Sequence, residues 1–188
     1  MCVPGIKIVS PSNPADVKGL LASAIRDDDP VLFFEQKALF GVKGDVPDGD
    51  YSVPLGEAAV RRKGSDITLI GLGATVSLCI EAAGQLSESE IDATVIDLRT
   101  LVPLDAAAIL ESVERTGRVM IVEENPGQLG WGAGVAAIVA EEAFYDLDAP
   151  VARVSGVNVP LPFAADLEKA ALPSTTRVLD SARKLMEM

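Results

Sequence analysis

Short apolar or β-branched runs recur along the chain at residues 6–9, 31–34, 67–70, 93–96, 119–122 and 151–154. Continuous runs of this length, without regular polar alternation, are expected of strands buried on both faces. The stretches between them carry the other period. Val17, Leu20, Leu21, Ala24 and Ile25 recur at intervals of three and four, which predicts a helix with one buried face. Asn13 suits its cap and Pro14 its first position, and Asp27-Asp28-Asp29-Pro30 stops it after about Arg26. Further helices are predicted over 75–86, 105–116, 131–144, 164–171 and 174–188. Alternation of this kind favours an α/β fold, a mostly parallel sheet flanked by helices on both faces.

The first strand-helix-strand unit does not fit this scheme by itself. Two strands and a helix cannot bury both faces of a sheet, so the unit either docks on the rest or belongs to a larger domain. The second alternative is favoured, because the chain enters its first strand within five residues of Met1. Residues 36–54 lose all periodicity and collect Gly41, Gly44, Pro47, Gly49 and Pro54, which reads as an interdomain connection.

Of the 188 residues, 48% are hydrophobic and 23% charged, a composition that excludes general disorder. A net charge of −12 without a basic cluster removes the electrostatic handle for nucleic acid and for anionic membranes, so neither is an expected partner. The apolar stretch 67–80 is broken by Gly71 and Gly73 and is too short to span a bilayer. Cys2 and Cys79 form neither a CxxC pair nor a secreted-type framework, so a reduced, cytoplasmic setting is expected.

There is no histidine. Ser-His and Cys-His nucleophile pairs are thereby excluded, together with the usual acid/base group near neutral pH. Three carboxylates directly after a helix C-terminus oppose the macrodipole unless a cation compensates, so the turn at Asp27 to Asp29 is either a solvated stop signal or an oxygen-rich cation site. Gly71-Leu72-Gly73-Ala74-Thr75 lacks the third glycine of a dinucleotide fingerprint and is expected to be a tight strand-to-helix turn. Glu123-Glu124-Asn125 ends a predicted strand before Gly127, Gly130, Gly132 and Gly134. Packing or a subunit contact is favoured there, with Trp131 as an anchor. Asp45, Asp48 and Asp50 resemble a calcium loop but place Gly56 at the twelfth position, and a flexible acidic linker accounts for them.

An ordered series of segments resembles the β chain of thiamine diphosphate-dependent 2-oxo acid dehydrogenases, the family of the pyruvate, branched-chain and acetoin enzymes. The series runs Val3-Pro4-Gly5-Ile6-Lys7-Ile8-Val9, Lys18-Gly19-Leu20-Leu21, Ala24-Ile25-Arg26-Asp27 and Pro30-Val31-Leu32-Phe33-Phe34-Glu35. It continues through Tyr51-Ser52-Val53-Pro54-Leu55-Gly56, Asp97-Leu98-Arg99-Thr100-Leu101-Val102-Pro103-Leu104-Asp105, Glu123-Glu124 and Leu167-Glu168-Lys169-Ala170. The resemblance implies that residues 1–40 are the end of a pyrimidine-binding domain, 41–56 a linker, and 57–188 a transketolase C-terminal-like domain. In such β chains the glutamate that activates the aminopyrimidine and the active-site histidine lie before the stretch matched here. The chain is therefore expected to be inactive alone and to serve assembly and scaffolding.

By the same resemblance, the full assembly uses thiamine diphosphate and Mg2+, held mainly by the α chain. The implied partners are the α chain in an α2β2 enzyme, a second β chain as a dimer mate, and the acyltransferase core whose lipoyl arm accepts the acyl group. The resemblance also implies a potassium ion bound through main-chain oxygens at Ala24, Ile25, Asp27 and Asp29. Two other readings fit the residues. One is a non-catalytic assembly module of the same fold. The other is the tail of a transketolase or deoxyxylulose-phosphate synthase, disfavoured because no phosphate-binding arginine cluster is present.

Overall fold

The apolar runs become strands of two sheets in a computed structural model that describes residues 3–188. Cys2 lies outside the described residues. In chain order the elements are β1 (Lys7–Val9), α1 (Pro14–Arg26), β2 (Val31–Phe33), β3 (Ala59–Arg62), β4 (Ile67–Gly71), α2 (Thr75–Ser87) and β5 (Ala93–Asp97). They continue as β6 (Thr100–Val102), α3 (Ala106–Thr116), β7 (Val119–Pro126), α4 (Trp131–Glu142), β8 (Ala152–Gly156), α5 (Ala165–Ala171) and α6 (Thr175–Met186). The larger sheet has the order β3-β5-β4-β7-β8 and the smaller one β2-β1-β6.

Strands β5, β4, β7 and β8 run parallel, as short crossovers through helices require. The larger sheet is nevertheless mixed, because β3 lies antiparallel along β5. That strand was missed in the sequence: two of its four residues are Arg61 and Arg62, so it carries no apolar run. β6 was missed for a similar reason. It is only three residues long and ends at Val102, where Pro103 forces the extended backbone of its predecessor.

The two faces of the larger sheet are covered differently. On one, Ile67, Leu69, Val95, Met120 and Val122 pack against α2 and α6, with Leu86, Val178 and Ala182 fully buried. On the other, Ile70, Ile96 and Ile121 meet Ile109 and Val113 of α3 and Val135 and Val139 of α4. The helix ends follow local rules. The Asn13 side chain accepts the Asp16 amide at 3.0 Å, and Asp105 accepts the Ala108 amide at 3.1 Å. Gly117 closes α3 in the left-handed conformation at φ 63°.

The first unit docks on the rest of the described chain. β1 pairs antiparallel with β6, through Ile8 with Val102 and Val9 with Thr100. Residues 41–56, expected to be a flexible linker, have no helix or strand but are fastened along α1. The Val53 amide donates to Gly19 O at 3.0 Å, Ser23 Oγ to Val53 O at 2.5 Å, and Tyr51 OH to Ala15 O at 2.7 Å. Gly19 is required by this approach, since a Cβ there would sit 2.5 Å from Val53 Cγ2 and 2.8 Å from Tyr51 Cε2. Asp50, exposed within this segment, pairs with Arg26 at 2.9 Å.

A cluster of charges completes the docking. Asp16 of α1 is 3% exposed and Asp97, at the end of β5, is fully buried. Arg61 Nη2 donates to Asp97 Oδ2 at 2.7 Å and also pairs with Asp16. Arg99 Nη2 donates to Asp16 Oδ1 at 2.7 Å, and Ser12 Oγ to Asp97 Oδ2 at 2.5 Å. Burial pushes the Asp97 carboxyl above the ordinary aspartate value, and the Ser12 hydroxyl and the Arg61 guanidinium work against that shift.

Removing one member of a buried pair strands its partner. Arg61→Met is therefore expected to destabilise the chain by about 3–5 kcal/mol. Pairing it with Asp97→Asn should recover part of that loss. Urea-unfolding midpoints of the two variants check both statements. Equal loss in single and double variants would mean that the Asp97 charge is not what Arg61 holds.

Candidate functional site

Parallel strands aim their carboxyl ends at one edge of a sheet, and ligand sites of open α/β sheets collect there. In this chain that edge opens on a cleft of about 860 Å³. One wall comes from the first unit, with Ser10, Phe34 and Gln36. The other comes from Leu72 after β4, Glu124 to Pro126 at the end of β7, and Trp131 at the start of α4. The segment 157–161 after β8, in which the Val159 amide donates to Val157 O at 2.9 Å, closes one side.

The adjacent acids of β7 point to opposite faces, as strand alternation demands. Glu123 is fully buried beneath α4. Its Oε2 accepts the Gly132 amide at 2.9 Å, which caps the helix from the sheet and places a negative charge at the positive end of the macrodipole. Its Oε1 accepts from Arg153 Nε at 3.1 Å and Ser155 Oγ at 3.0 Å, and it pairs with Arg153 Nη2. Glu123 is thus a saturated structural carboxylate. The glycines before and within α4 are needed because Cβ atoms at Gly130 and Gly132 would run into that carboxylate.

Glu124 faces the cleft and is half-buried. Burial pushes its carboxyl above the ordinary glutamate value and the charge of Glu168 adds to that shift, while a hydrogen bond from Gln36 opposes it. Gln36 Nε2 donates to Glu124 Oε2 at 2.5 Å, and its Oε1 accepts the Ala74 amide at the entrance to α2. The carboxamide therefore fills the place above the Gly71 to Thr75 turn where a nucleotide fold would seat an anion. Gly73, at φ 57°, permits that approach, since a Cβ there would collide with Gln36 Oε1 and lie 2.8 Å from Ser10 Oγ. The tight-turn reading of this segment holds.

The expected cation turn lies elsewhere, at the end of α1. Lys7 Nζ of β1 donates to both Asp27 carboxylate oxygens at 2.7 Å and reaches Asp29 Oδ2 at 3.2 Å. This ammonium holds the Asp27 carboxyl below its ordinary value, mainly through the hydrogen bond, and its own pKa is raised in return. A cation for Asp27 and Asp29 is thus supplied by the chain itself. Among the described residues, no main-chain amide donates to the carbonyl oxygens of Ala24 or Ile25. Nor do any three His, Cys, Asp or Glu side chains among them converge as a metal site. Cys79 is buried and unpaired, and burial pushes its thiol far up, out of reach of thiolate chemistry.

Trp131 half-packs against the α3–α4 face while also lining the cleft. Gln36 was missed in the sequence because it falls in a stretch with no period. Glu168 stood out only within a family segment, without a role.

The family description "Transketolase, C-terminal domain" matches residues 56–178, and "Transketolase, pyrimidine binding domain" matches residues 1–43. The chain is 48% identical over 97% of its length to the "Pyruvate dehydrogenase E1 component subunit beta" of Rickettsia felis, covering 56% of that protein. It is 44% identical over 98% of its length to the "Acetoin:2,6-dichlorophenolindophenol oxidoreductase subunit beta" of Bacillus subtilis, covering 54% of it. The chain thus spans about half the length of the curated relatives it matches. A solved structure described as "Split gene transketolase, inactive beta4 tetramer" superimposes with a TM-score of 0.83 at 26% identity, over 99% of this chain and 59% of that one.

The crowding beneath α4 makes two glycines of one helix behave oppositely. Gly132→Ala places a Cβ 2.7 Å from Glu123 Oε1, and is expected to cost about 1–3 kcal/mol by overpacking and to shift Trp131 emission. Gly134→Ala enters open space and is expected to stabilise by about 0.5–1 kcal/mol. Thermal and urea unfolding of both variants decide the matter, and the same sign for the two would show that Glu123 does not set the packing.

Proposed function

The chain belongs to the transketolase C-terminal domain family, and from that premise we propose that it serves as the C-terminal portion of the β chain of a thiamine diphosphate-dependent 2-oxo acid dehydrogenase. The substrate of the whole enzyme is pyruvate, a branched-chain 2-oxo acid or acetoin. The observation that carries this reading is the 48% identity to a pyruvate dehydrogenase β subunit across nearly all of this chain. A transketolase-type enzyme is the weaker alternative, with 26% identity to its solved relative.

The role of these residues is to brace the assembly. The C-terminal domain packs against a second β chain, an α chain completes an α2β2 enzyme, and the acyltransferase core of the complex takes up the product acyl group on its lipoyl arm. Thiamine diphosphate supplies the carbanion chemistry of the family. On this reading the cofactor and its Mg2+ are held mainly by the α chain, together with the remainder of the β chain. A cytoplasmic setting suits the free Cys79 thiol. No helix among the described residues is long and apolar enough to cross a membrane.

Potassium fits the end of α1 in a restricted way. Lys7 already occupies the side chains of Asp27 and Asp29, so an ion there is held by main-chain oxygens of Ala24, Ile25, Asp27 and Asp29. The free carbonyls of Ala24 and Ile25 support this set.

Two measurements test these statements. Mixed with an α chain of the Rickettsia felis type, the 188-residue chain should form a complex in sedimentation. Alone it should neither decarboxylate pyruvate nor bind thiamine diphosphate in calorimetry, and micromolar cofactor binding by the lone chain would overturn the reading. For potassium, the melting temperature should be a few degrees higher in KCl than in N-methylglucamine chloride at equal ionic strength. Identical melting would remove the ion from this turn.

A further inference from the structure

The cleft at the strand ends is unevenly charged. Glu124 and Glu168 line it, and no lysine or arginine does among the described residues. The two carboxylates line the same space, and the Glu124 carboxyl is pushed up first by burial and further by the charge of Glu168. A cationic group between them would relieve that repulsion and find a desolvated partner.

The rim speaks about size. Leu129 is 98% exposed, Phe163 is fully exposed, and Val159 and Leu161 are about half exposed. Val157, Val159, Leu161 and Phe163 alternate in sequence with Asn158, Pro160 and Pro162, so one short segment without helix or strand leaves four apolar side chains exposed. The first three of these and Leu129 line the same cleft as the two acids. Contiguous exposed apolar surface of this kind marks an interaction site. A small molecule seated between the carboxylates would leave Leu129 and Phe163 bare, whereas a polypeptide strand would cover them.

We propose that this cleft is a docking groove for an extended segment of another polypeptide, which places a lysine or arginine between Glu124 and Glu168 and apolar side chains against the 157–163 segment. Gln36 acts here as a positioning residue. By holding one oxygen of Glu124 it leaves the other free for the incoming cation. The inference rests on the cleft and not on the family reading, so a short peptide tests it independently of any α chain or cofactor.

The probe is the peptide acetyl-Leu-Val-Lys-Val-Leu-amide. The readout is the emission of Trp131, the one tryptophan in the sequence, which lines the groove. Saturable change in that emission is expected at low salt, weakened by added NaCl. Replacing the peptide lysine by norleucine should weaken binding roughly tenfold. Glu168→Gln, on the short α5 and away from the core, should weaken it roughly fivefold without altering the unfolding midpoint. The proposal is overturned if the norleucine peptide binds as tightly, if Glu168→Gln has no effect, or if no emission change appears up to about 1 mM peptide. It is equally overturned if n-butylammonium chloride reproduces the full change at the same concentrations, which would assign the site to a small amine. Emission that depends on the concentration of the chain alone would assign the groove to a second copy and likewise end the proposal.

Discussion

The arrangement of this molecule turns on the charge cluster of Asp16, Arg61, Asp97 and Arg99. The backbone pairing that joins the first unit to the rest of the chain is slight, consisting of Ile8 with Val102 and Val9 with Thr100 inside the smaller sheet. Two hydrogen-bonded pairs cannot fix the relative position of two layers, and the buried carboxylates can. Asp16 and Asp97 tolerate loss of water only where both guanidinium groups reach them. That condition is met in one placement of α1 against β3 and β5. The turn after β5 contributes directly. Arg99 has a left-handed backbone at φ 59°, so its amide donates to Asp97 Oδ1 at 3.1 Å while its side chain returns to Asp16.

That placement creates the cleft. Ser10 and Gln36 follow β1 and β2 out of the smaller sheet and stand opposite the ends of β4 and β7. Gln36 ties the walls together by joining Glu124 to the entrance of α2. The cleft is therefore a joint product of the two sheets. A change at Arg61, outside the cleft lining, would act on it through the position of Gln36.

The alternating apolar runs made the parallel core legible, and each of the six predicted helices forms within a few residues of its expected bounds. The family segments identified the relationship. Elements defined by long-range partners escaped notice. β3 is recognisable only once β5 is beside it, since its arginines serve the ion-pair cluster rather than the core. The segment 41–56 reads as a loop because its order comes from side chains such as Tyr51 and Ser23 meeting main-chain groups distant in sequence. The turn at Asp27 illustrates the same limit. Its need for a cation could be inferred from the helix dipole, but that Lys7, twenty residues earlier, would supply it could not.

Glu123 and Glu124 carry this difference down to adjacent residues. In sequence they are an undivided acidic pair, and the pleat separates them. Glu123 receives four donors from α4, Arg153 and Ser155, so it is committed to the fold and has little room for a further ligand. Glu124 has one neutral donor and a like-charged neighbour, which leaves it under-compensated at the mouth of an apolar groove. A carboxylate in that state recruits positive charge more effectively than a saturated one, because its partner does not have to displace an existing ion pair. With no histidine in the chain and the Cys79 thiol sealed in the core, recognition through Glu124 is better suited to these residues than proton transfer.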